Sequence, residues 1–274
     1  MPEGDTLHRT AAGLRPVLLG RPVVAARARR PGPSVDGLVG RTVTAVEAVG
    51  KNLLIRFDDG RTMRTHLGMG GAWHRYRRGE RWRRPAIRAR LVLEVPDAVV
   101  VCFDAPTVEL FDARAERLHP ALAGLGPDLL GATFDLDAAV ARLRAPALAG
   151  RAIAEVLLDQ RVVAGIGNVY KSEVLFVAGV DPFVPVDELV PAVARAILET
   201  ARRLLVENSQ PGTPAWRRTT GRAPEAVLAV GGPLWVYRRT GRPCRRCGTA
   251  IRSRSHGTPP RRTYWCPRCQ RGPG

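Results

Sequence analysis

The chain has 274 residues, 45% of them hydrophobic, so it is long enough for one large or two modest globular domains. Its 43 basic and 25 acidic side chains give a formal charge of +18 at pH 7, which favours nucleic acid as the partner over a membrane. No apolar run approaches the roughly 20 residues of a membrane-spanning helix, and Glu3 stands where a secretory signal peptide is basic, so we expect a cytoplasmic, nucleoid-associated monomer with no membrane partner.

The N-terminal half predicts a helix followed by an antiparallel β-sandwich. Apolar residues recur at helical spacing from Leu7 to Leu18, and Gly20 follows as a helix stop. Apolar and β-branched runs between turn residues then predict strands at 41–49, 52–57, 61–67, 88–95 and 98–103. We therefore expect a sandwich domain over residues 1–114.

The C-terminal half is predicted to be helical until a final Cys-rich module. A linker is expected at 115–130 and a helical domain at 131–232, within which 208–232 lacks periodicity and is interpreted as a mobile loop. Helical periodicity is present in the segments 135–143, 151–163, 168–179 and 187–207. With the module at 233–274, the expected fold class is α+β.

Two Cys-x2-Cys pairs separated by 18 residues form the sharpest local motif. They are Cys244, Cys247, Cys266 and Cys269. Four thiolates at this spacing are typical of a zinc ribbon, whereas two disulfides are the alternative for a secreted protein. Such a site has no open coordination position, so the Zn²⁺ is structural and we expect no catalytic cofactor. Cys102 stands alone in a predicted strand and is interpreted as a core residue.

The segment GIGN lies between two predicted helices. Gly165 and Gly167 permit a tight turn, and Asn168 is a candidate cap for the next helix, whose N-terminus attracts a phosphate group. A helix hairpin with a capping Asn and no ligand is the alternative. Lys171, one turn into this helix, is a candidate supporting charge for DNA binding.

Arginines crowd the segment between the two Cys pairs, which is predicted to be a β-hairpin. They are Arg252, Arg254, Arg261 and Arg262. Guanidinium groups in such a hairpin suit phosphate contacts, although a single Arg in a chain this rich in Arg is most often a solvated surface charge.

The N-terminus carries a candidate nucleophile. Removal of Met1 before a small residue exposes Pro2 as a secondary amine, and an α-amino group with a reference pKa of about 7.7–8.0 is partly neutral at pH 7. Addition of this amine to C1′ of a nucleotide, with loss of the base, leaves an iminium that acidifies the C2′ proton. Glu3 beside it can protonate the departing group, or it can be only a partner of the helix dipole.

Lys51 is a second candidate for proton transfer. In GKNLLIRF it shares strand parity with Leu53, Ile55 and Phe57, the apolar face. A charge at the edge of a core face is explained either by a snorkelling side chain or by an acid–base role.

Five motifs occur in an order that resembles one protein family. They are PEG at 2–4, GKNLL at 50–54, HLGMGG at 66–71, GIGN at 165–168 and RRTYWCPRCQ at 261–270. This set resembles the bifunctional DNA glycosylases of the formamidopyrimidine-DNA glycosylase and endonuclease VIII family, over nearly the whole chain. The resemblance implies an N-terminal β-sandwich with flanking helices, a helix–two-turn–helix domain and a C-terminal zinc-ribbon β-hairpin. It implies damaged DNA as the partner.

The resemblance also implies roles for individual residues. Pro2 matches the Schiff-base nucleophile, Glu3 the proton donor, and Lys51 the proton donor for β-elimination. Arg261 matches the ribbon arginine that binds phosphate and is linked to δ-elimination, with Arg262 one position away.

Two further positions match residues that contact DNA in the family. Asn168 corresponds to a phosphate-binding Asn. Met69 stands where the purine-acting branch fills the gap left by the flipped nucleotide.

Departures from the family pattern bear on specificity. PEGDT resembles the endonuclease VIII side, including an actinobacterial second form, whereas HLGMGG resembles the purine-acting side. The Arg-Phe pair of purine-acting enzymes is missing from FDAPTVELFD, Gly124 replaces a DNA-contacting Arg, and the ribbon interval is two residues longer. We expect base excision repair of oxidised pyrimidines with β,δ-elimination. The alternatives are an oxidised-purine glycosylase and a non-catalytic protein that binds damaged DNA.

Overall fold

The computed structural model describes residues 2–210, 219 and 234–272. The chain divides into two compact units, Met1–Gly124 and Leu125–Gly274. Most of the mobile loop predicted at 208–232 lies outside the described residues. Within the described part of the chain, no helix combines the length and the apolar composition needed to cross a membrane.

The first unit consists of one long helix, two antiparallel sheets and two short helices. Its elements are α1 (Gly4–Leu18), β1 (Ala25–Ala28), β2 (Val43–Val49), β3 (Asn52–Phe57), β4 (Thr62–His66), β5 (Ala72–Arg77), β6 (Ala89–Val95), β7 (Ala98–Phe103), β8 (Thr107–Phe111), α2 (Ala113–Leu118) and α3 (Pro120–Ala123). The strand orders are β1-β6-β7-β5 and β2-β3-β4-β8. The sandwich and its five predicted strands are confirmed.

One apolar core joins α1 to both sheets. The predicted helix stripe of Leu7, Ala11, Leu14 and Leu18 is buried and belongs to the same cluster as the inward side chains of the strands. Leu53, Ile55 and Phe57 lie in this cluster, as their strand parity predicts. Cys102 is also buried there, and burial raises the pKa of its thiol, so it is a core residue.

Short helices occupy part of the predicted linker at 115–130. Asp112 accepts a hydrogen bond from the backbone N–H of Ala115, which caps α2. Pro120 at the first position of α3 starts the next helix. Local capping chemistry therefore gives this segment regular structure.

The second unit combines helices with a C-terminal hairpin. Its elements are α4 (Leu136–Leu143), α5 (Ile153–Val156), α6 (Asn168–Ala178), α7 (Pro191–Ser209), β9 (Arg252–His256) and β10 (Arg261–Trp265). β9 and β10 pair as an antiparallel hairpin. The helical prediction at 151–163 is wrong beyond α5, because Asp159 and Gln160 use their side chains to bond the backbone of the following turn.

Candidate active site

The predicted nucleophile and proton donor lie at the start of α1. Glu3 is the N-cap residue, with extended backbone, and its carbonyl accepts the N–H groups of Thr6 and Leu7 at 2.9 and 3.2 Å. The Glu3 side chain is fully buried, and so is that of Asp5. A buried carboxyl group is held at the helix end where the dipole favours negative charge. Pro2 immediately precedes this carboxyl group.

Lys51 lies in the turn between β2 and β3, one residue before the strand that the sequence predicted it to open. Gly50 in this turn has a φ of +58°, in the left-handed region that glycine adopts without strain. Asn52 donates from Nδ2 to the carbonyl of Val49 at 3.1 Å, which closes the turn. A buried guanidinium, that of Arg64, donates to Asn52 Oδ1 at 2.9 Å. The backbone that carries Lys51 is therefore fixed by a buried polar pair.

His66 lies at the end of β4, in register with Asn52. Burial lowers the pKa of His66, and the positive charges of Arg64 and Lys51 lower it further. Its Nδ1 accepts the N–H of Gly68 at 3.2 Å. The neutral imidazole therefore helps to fix the start of the loop that follows.

That loop presents Met69 to solvent. Met69 is 71% exposed, although it is a large apolar side chain. The turn is closed by the Gly71 N–H, which donates to Leu67 O at 2.8 Å. A Cβ on Gly71 would lie 2.4 Å from Leu67 O, and one on Gly68 would lie 2.8 Å from the ring of Pro106. The glycines of HLGMGG thus permit a tight turn with Met69 at its tip.

The GIGN turn is stabilised by Gln160, which the sequence analysis missed. Gly165 has a φ of +107° and donates its N–H to Gln160 Oε1 at 3.1 Å. Gln160 Nε2 donates to Ile166 O at 3.0 Å. Gln160 lies inside the helical run predicted at 151–163, and its side chain gives no sequence signal for these partners.

The predicted capping role of Asn168 is wrong. Gly167 is the N-cap residue of α6 and has no side-chain cap. Asn168 begins the helix, and its Nδ2 donates to the carbonyl of Arg262 in β10 at 3.0 Å. The side chain is used to bind the hairpin because that carbonyl lies within reach.

Lys171 is buried at the same junction. It is 1% exposed, and its Nζ donates to Asn168 Oδ1 at 2.7 Å and to Thr263 Oγ1 at 2.8 Å. The ammonium therefore ties the N-terminus of α6 to β10. Its described hydrogen bonds are to protein atoms, and its role in DNA binding stays a prediction.

A cavity of about 280 Å³ adjoins this junction within the second unit. Its cationic lining residues are Arg151, Arg161, Lys171 and Arg261. Arg161 donates to Asp159, and this hydrogen bond lowers the pKa of the Asp159 carboxyl. The cavity thus combines four cationic side chains with two carboxyl groups, those of Glu155 and Asp159, and this excess of positive charge suits it to an anionic ligand.

The hairpin arginines divide by environment. Arg261 and Arg262 open β10 and are exposed. Arg254 instead lies over the ring of Phe183 at 3.5 Å from its centroid. Arg252 at the start of β9 is exposed as well, so Arg252, Arg261 and Arg262 remain the hairpin candidates for phosphate contact, whereas the exposed Arg254 packs on an aromatic ring.

The four cysteines of the ribbon lie together. Their Sγ atoms are all within 4.8 Å of one another, and the Cys244–Cys269 and Cys247–Cys266 sulfur pairs are 3.8 and 3.5 Å apart. Zn–S bonds of about 2.3 Å give tetrahedral S···S edges of about 3.8 Å. Hydrogen bonds from Thr249 lower the pKa of Cys247 to about 6, whereas burial raises the pKa of Cys266 and Cys269. This cluster can hold a metal ion.

Glu173 is a second residue that sequence analysis missed. It is fully buried in α6 and accepts the backbone N–H groups of Trp235, Val236 and Tyr237 at 2.7, 2.9 and 2.8 Å. Its hydrogen bonds fix the backbone that leads into the ribbon. The available signal was a carboxylate within the apolar run NVYKSEVLF, since a buried charge needs partners.

Comparison with protein families agrees with this architecture. A family model of the formamidopyrimidine-DNA glycosylase N-terminal domain matches residues 1–114. A model of the formamidopyrimidine-DNA glycosylase H2TH domain matches residues 125–213. Together these two models cover most of the chain.

Similar proteins span the full length. A "Probable endonuclease 8 2" of Streptomyces coelicolor is 43% identical over 100% of this chain and 95% of its own. The "DNA-(apurinic or apyrimidinic site) lyase Nei2" of Mycolicibacterium smegmatis is 40% identical over 98% of this chain and 99% of its own. A Lactococcus lactis Fpg, solved in complex with DNA containing N7-benzyl-Fapy-dG, superposes with a TM-score of 0.81 at 23% identity, covering 98% of this chain and 99% of that one.

Lys171→Met tests the buried ammonium. The substitution keeps the side-chain length but leaves Asn168 Oδ1 and Thr263 Oγ1 without this donor, so we expect a loss of about 2–4 kcal/mol in the free energy of unfolding. Urea denaturation followed by circular dichroism measures it. Lys51→Met, in a half-exposed turn, is the matched control. Equal stability of the two variants would contradict a structural role for Lys171.

Proposed function

The chain belongs to the formamidopyrimidine-DNA glycosylase and endonuclease VIII family of bifunctional DNA glycosylases and AP lyases, in its endonuclease VIII branch, and we propose that it removes oxidised pyrimidines from DNA and cleaves the strand by β,δ-elimination. The observation that carries the proposal is the N-terminus of α1, where a fully buried Glu3 follows Pro2. We further propose that it acts as a monomer on DNA in the cytoplasm, in the nucleoid.

Pro2 supplies the nucleophile in this proposal. Its secondary amine, freed by removal of Met1, attacks C1′ as the glycosidic bond breaks and the base departs with a proton. The positive end of a helix dipole disfavours a cation, so the position of Pro2 before α1 favours the neutral, nucleophilic amine. The resulting iminium joins Pro2 to the opened deoxyribose.

Glu3 and Lys51 move the protons. Glu3, the buried carboxyl group that follows Pro2, protonates the ribose ring oxygen as the sugar opens. The iminium then acts as an electron sink: Glu3, now a carboxylate, accepts the C2′ proton, and the 3′ phosphate leaves in β-elimination. Lys51 donates a proton in this step, from a turn that Asn52 and Arg64 hold in place. Loss of the 5′ phosphate completes δ-elimination, and water releases Pro2.

The second unit supplies the phosphate contacts. We assign Arg261 and Arg262, both exposed on β10, to the DNA backbone, with Arg261 contacting the phosphate that leaves in δ-elimination. Asn168 and Lys171 support them by holding β10 against the start of α6. Phosphate contacts position the strand without reading its sequence.

We assign the metal of the four-cysteine cluster as Zn²⁺ with a structural role. Four thiolates close the coordination sphere and leave no position for water or substrate. The chemistry above needs no further cofactor. The metal holds the ends of the hairpin that carries Arg261 and Arg262.

Oxidised pyrimidines are the favoured substrate. The similarity to endonuclease 8 proteins supports this choice, as does the lack of the Arg-Phe pair in FDAPTVELFD. HLGMGG supports the alternative of oxidised purines, because Met69 stands in the position of the gap-filling residue of purine-acting relatives. In either case the exposed Met69 fills the space left by the flipped nucleotide.

Borohydride trapping separates the roles of Pro2 and Glu3. We expect Pro2→Gly to lose the covalent complex with DNA containing an abasic site, because the secondary amine is gone. Glu3→Gln should retain trapping on abasic DNA but excise a damaged base roughly 10²–10⁴-fold more slowly, because an abasic site already offers an open-chain aldehyde and only an intact nucleotide needs the Glu3 proton to open its sugar. Peptide mapping of the wild-type complex locates the adduct, and an adduct on Lys51 or Lys171 would reject Pro2.

A lesion panel tests the substrate. Duplexes and single strands containing thymine glycol, 5-hydroxyuracil or 8-oxoguanine are cleaved side by side under single-turnover conditions. We expect faster cleavage at the two pyrimidines, since the Arg-Phe pair of purine-acting enzymes is missing. Faster cleavage at 8-oxoguanine would select the purine alternative, and binding without any cleavage would select the non-catalytic one.

Metal analysis tests the ribbon. Elemental analysis should find one zinc per chain. Cys247→Ser should lower both the metal content and the affinity for DNA, because the metal site that orders the hairpin loses a ligand. Cys102→Ser is the matched control, since Cys102 lies outside the cluster. Full DNA affinity in zinc-free protein would contradict the structural role.

A further inference from the structure

We propose that Arg84, held by Asp104, is a positioning residue that fixes the turn carrying Met69 and thereby sets how efficiently the protein opens duplex DNA at a lesion. This inference rests on the proposed function, in which Met69 fills the space of the flipped nucleotide. It concerns the first unit alone.

The tip of the Met69 turn depends on its backbone for its position. Met69 is 71% exposed and lies outside the apolar core clusters of the described residues. Its side chain is therefore not located by packing. The Gly71–Leu67 and Gly68–His66 hydrogen bonds shape the turn from within.

Arg84 connects this turn to a different part of the unit. Its Nη1 donates to the carbonyl of Gly70, the residue after Met69, at 3.1 Å. The same nitrogen donates to Asp104 Oδ2 at 2.7 Å. Arg84, fourteen residues after Gly70 in the sequence, thus bridges the turn to Asp104, which follows β7.

Asp104 is well suited to hold this guanidinium. It has a φ of +53°, in a left-handed region that Asp enters more readily than most residues. Arg88 donates from Nε to Asp104 Oδ1 at 2.8 Å, so each oxygen of this carboxylate accepts a hydrogen bond from a different arginine. The hydrogen bond from Arg88, together with Arg84, lowers the pKa of Asp104 and keeps it ionised.

Aromatic packing restricts Arg84 further. Its guanidinium carbon lies 5.9 Å from the ring centroid of Phe103, which is fully buried in β7. Phe103 also packs edge-on against Trp82 in the same loop as Arg84. The side chain is therefore confined between a buried ring and a fixed carboxylate.

In this proposal Met69 acts as a wedge, a side chain that enters the space left by the flipped nucleotide, and a wedge must be rigid to be effective. Unstacking a nucleotide costs a few kcal/mol, and a wedge that is free to move offsets less of that cost, because its own ordering must be added. A bridge from Gly70 to Asp104 removes this freedom before DNA arrives. The lesion-opening step in duplex DNA should therefore depend on Arg84, whereas cleavage of an abasic single strand, which has no stack of paired bases to open, should not.

Arg84→Met and Arg88→Met form a matched pair. The first removes both hydrogen bonds to Gly70 and Asp104 but keeps an apolar stem beside Phe103, and the second removes only the other partner of Asp104. We expect Arg84→Met to slow single-turnover excision from duplex DNA roughly 10–100-fold. Cleavage of a single strand carrying an abasic site should change by less than about twofold, and Arg88→Met should resemble wild type in both assays.

Three further measurements separate positioning from general damage. Arg84→Lys should recover part of the lost rate, because an ammonium can also donate to Gly70 and Asp104. In the Met69→Ala background Arg84→Met should have little further effect, because the two act through one wedge. The fluorescence of 2-aminopurine beside a tetrahydrofuran site should rise on binding wild type and rise less with Arg84→Met, a readout that needs no chemistry.

Unchanged duplex excision in Arg84→Met, equal losses on duplex and single strand, or full additivity with Met69→Ala would each overturn the inference. Absence of a fluorescence rise with wild-type protein would also overturn it. Failure of the proposed function looks different, because wild type would then leave the abasic single strand uncut while the fluorescence comparison still reports on the wedge.

Discussion

The hydrogen bonds of one buried ammonium group govern how the second unit presents the arginines that we propose bind phosphate. Lys171 Nζ joins Asn168, at the start of α6, to Thr263, in β10. Asn168 adds its own bond to the carbonyl of Arg262. Burying a charge is costly unless several polar partners receive it, so this arrangement is stable only when helix and hairpin are both in place. The positions of the exposed Arg261 and Arg262 are therefore set by the interior contact that Lys171 and Asn168 make with β10.

The first unit uses buried or restrained guanidinium groups for the same purpose. Arg64 holds Asn52 and, through it, the turn that carries Lys51. Arg84 holds the carbonyl next to Met69. In each case the residue proposed to meet the DNA lies on a short turn, and the residue that fixes the turn lies on a strand or on another loop. Placing reactive groups on turns gives them access, and fixing those turns from the scaffold gives them a defined position.

The sequence predicted every central strand of the sandwich and one edge strand, β2, and missed the other three edge strands. β3, β4, β6 and β7 have neighbours on both sides, and their apolar runs reflect burial. The missed strands, β1, β5 and β8, are all at sheet edges. β5 reads AWHRYR and is largely half-exposed, so its composition resembles a loop. Pairing with β7 makes it a strand, and a pairing partner distant in sequence gives no local signal. The candidate-site residues show the same contrast. Sequence motifs identified Pro2, Glu3 and the cysteines. Gln160, Glu173 and Arg84 were missed because their hydrogen-bond partners are brought near only by the fold.

The two lysines illustrate why residue identity mattered in a chain with 43 basic residues. At Lys171 a compact ammonium with three tetrahedral donors meets Asn168 Oδ1, Thr263 Oγ1 and, at 3.4 Å, the carbonyl of Arg262. A planar guanidinium has a larger volume and a fixed fork, so it does not match three acceptors converging on one point. At Lys51 the proposed role is proton donation, which an ammonium can perform and a guanidinium cannot. In this Arg-rich chain the geometry of its donors accounts for Lys at position 171, and the proposed proton-donor role accounts for Lys at position 51.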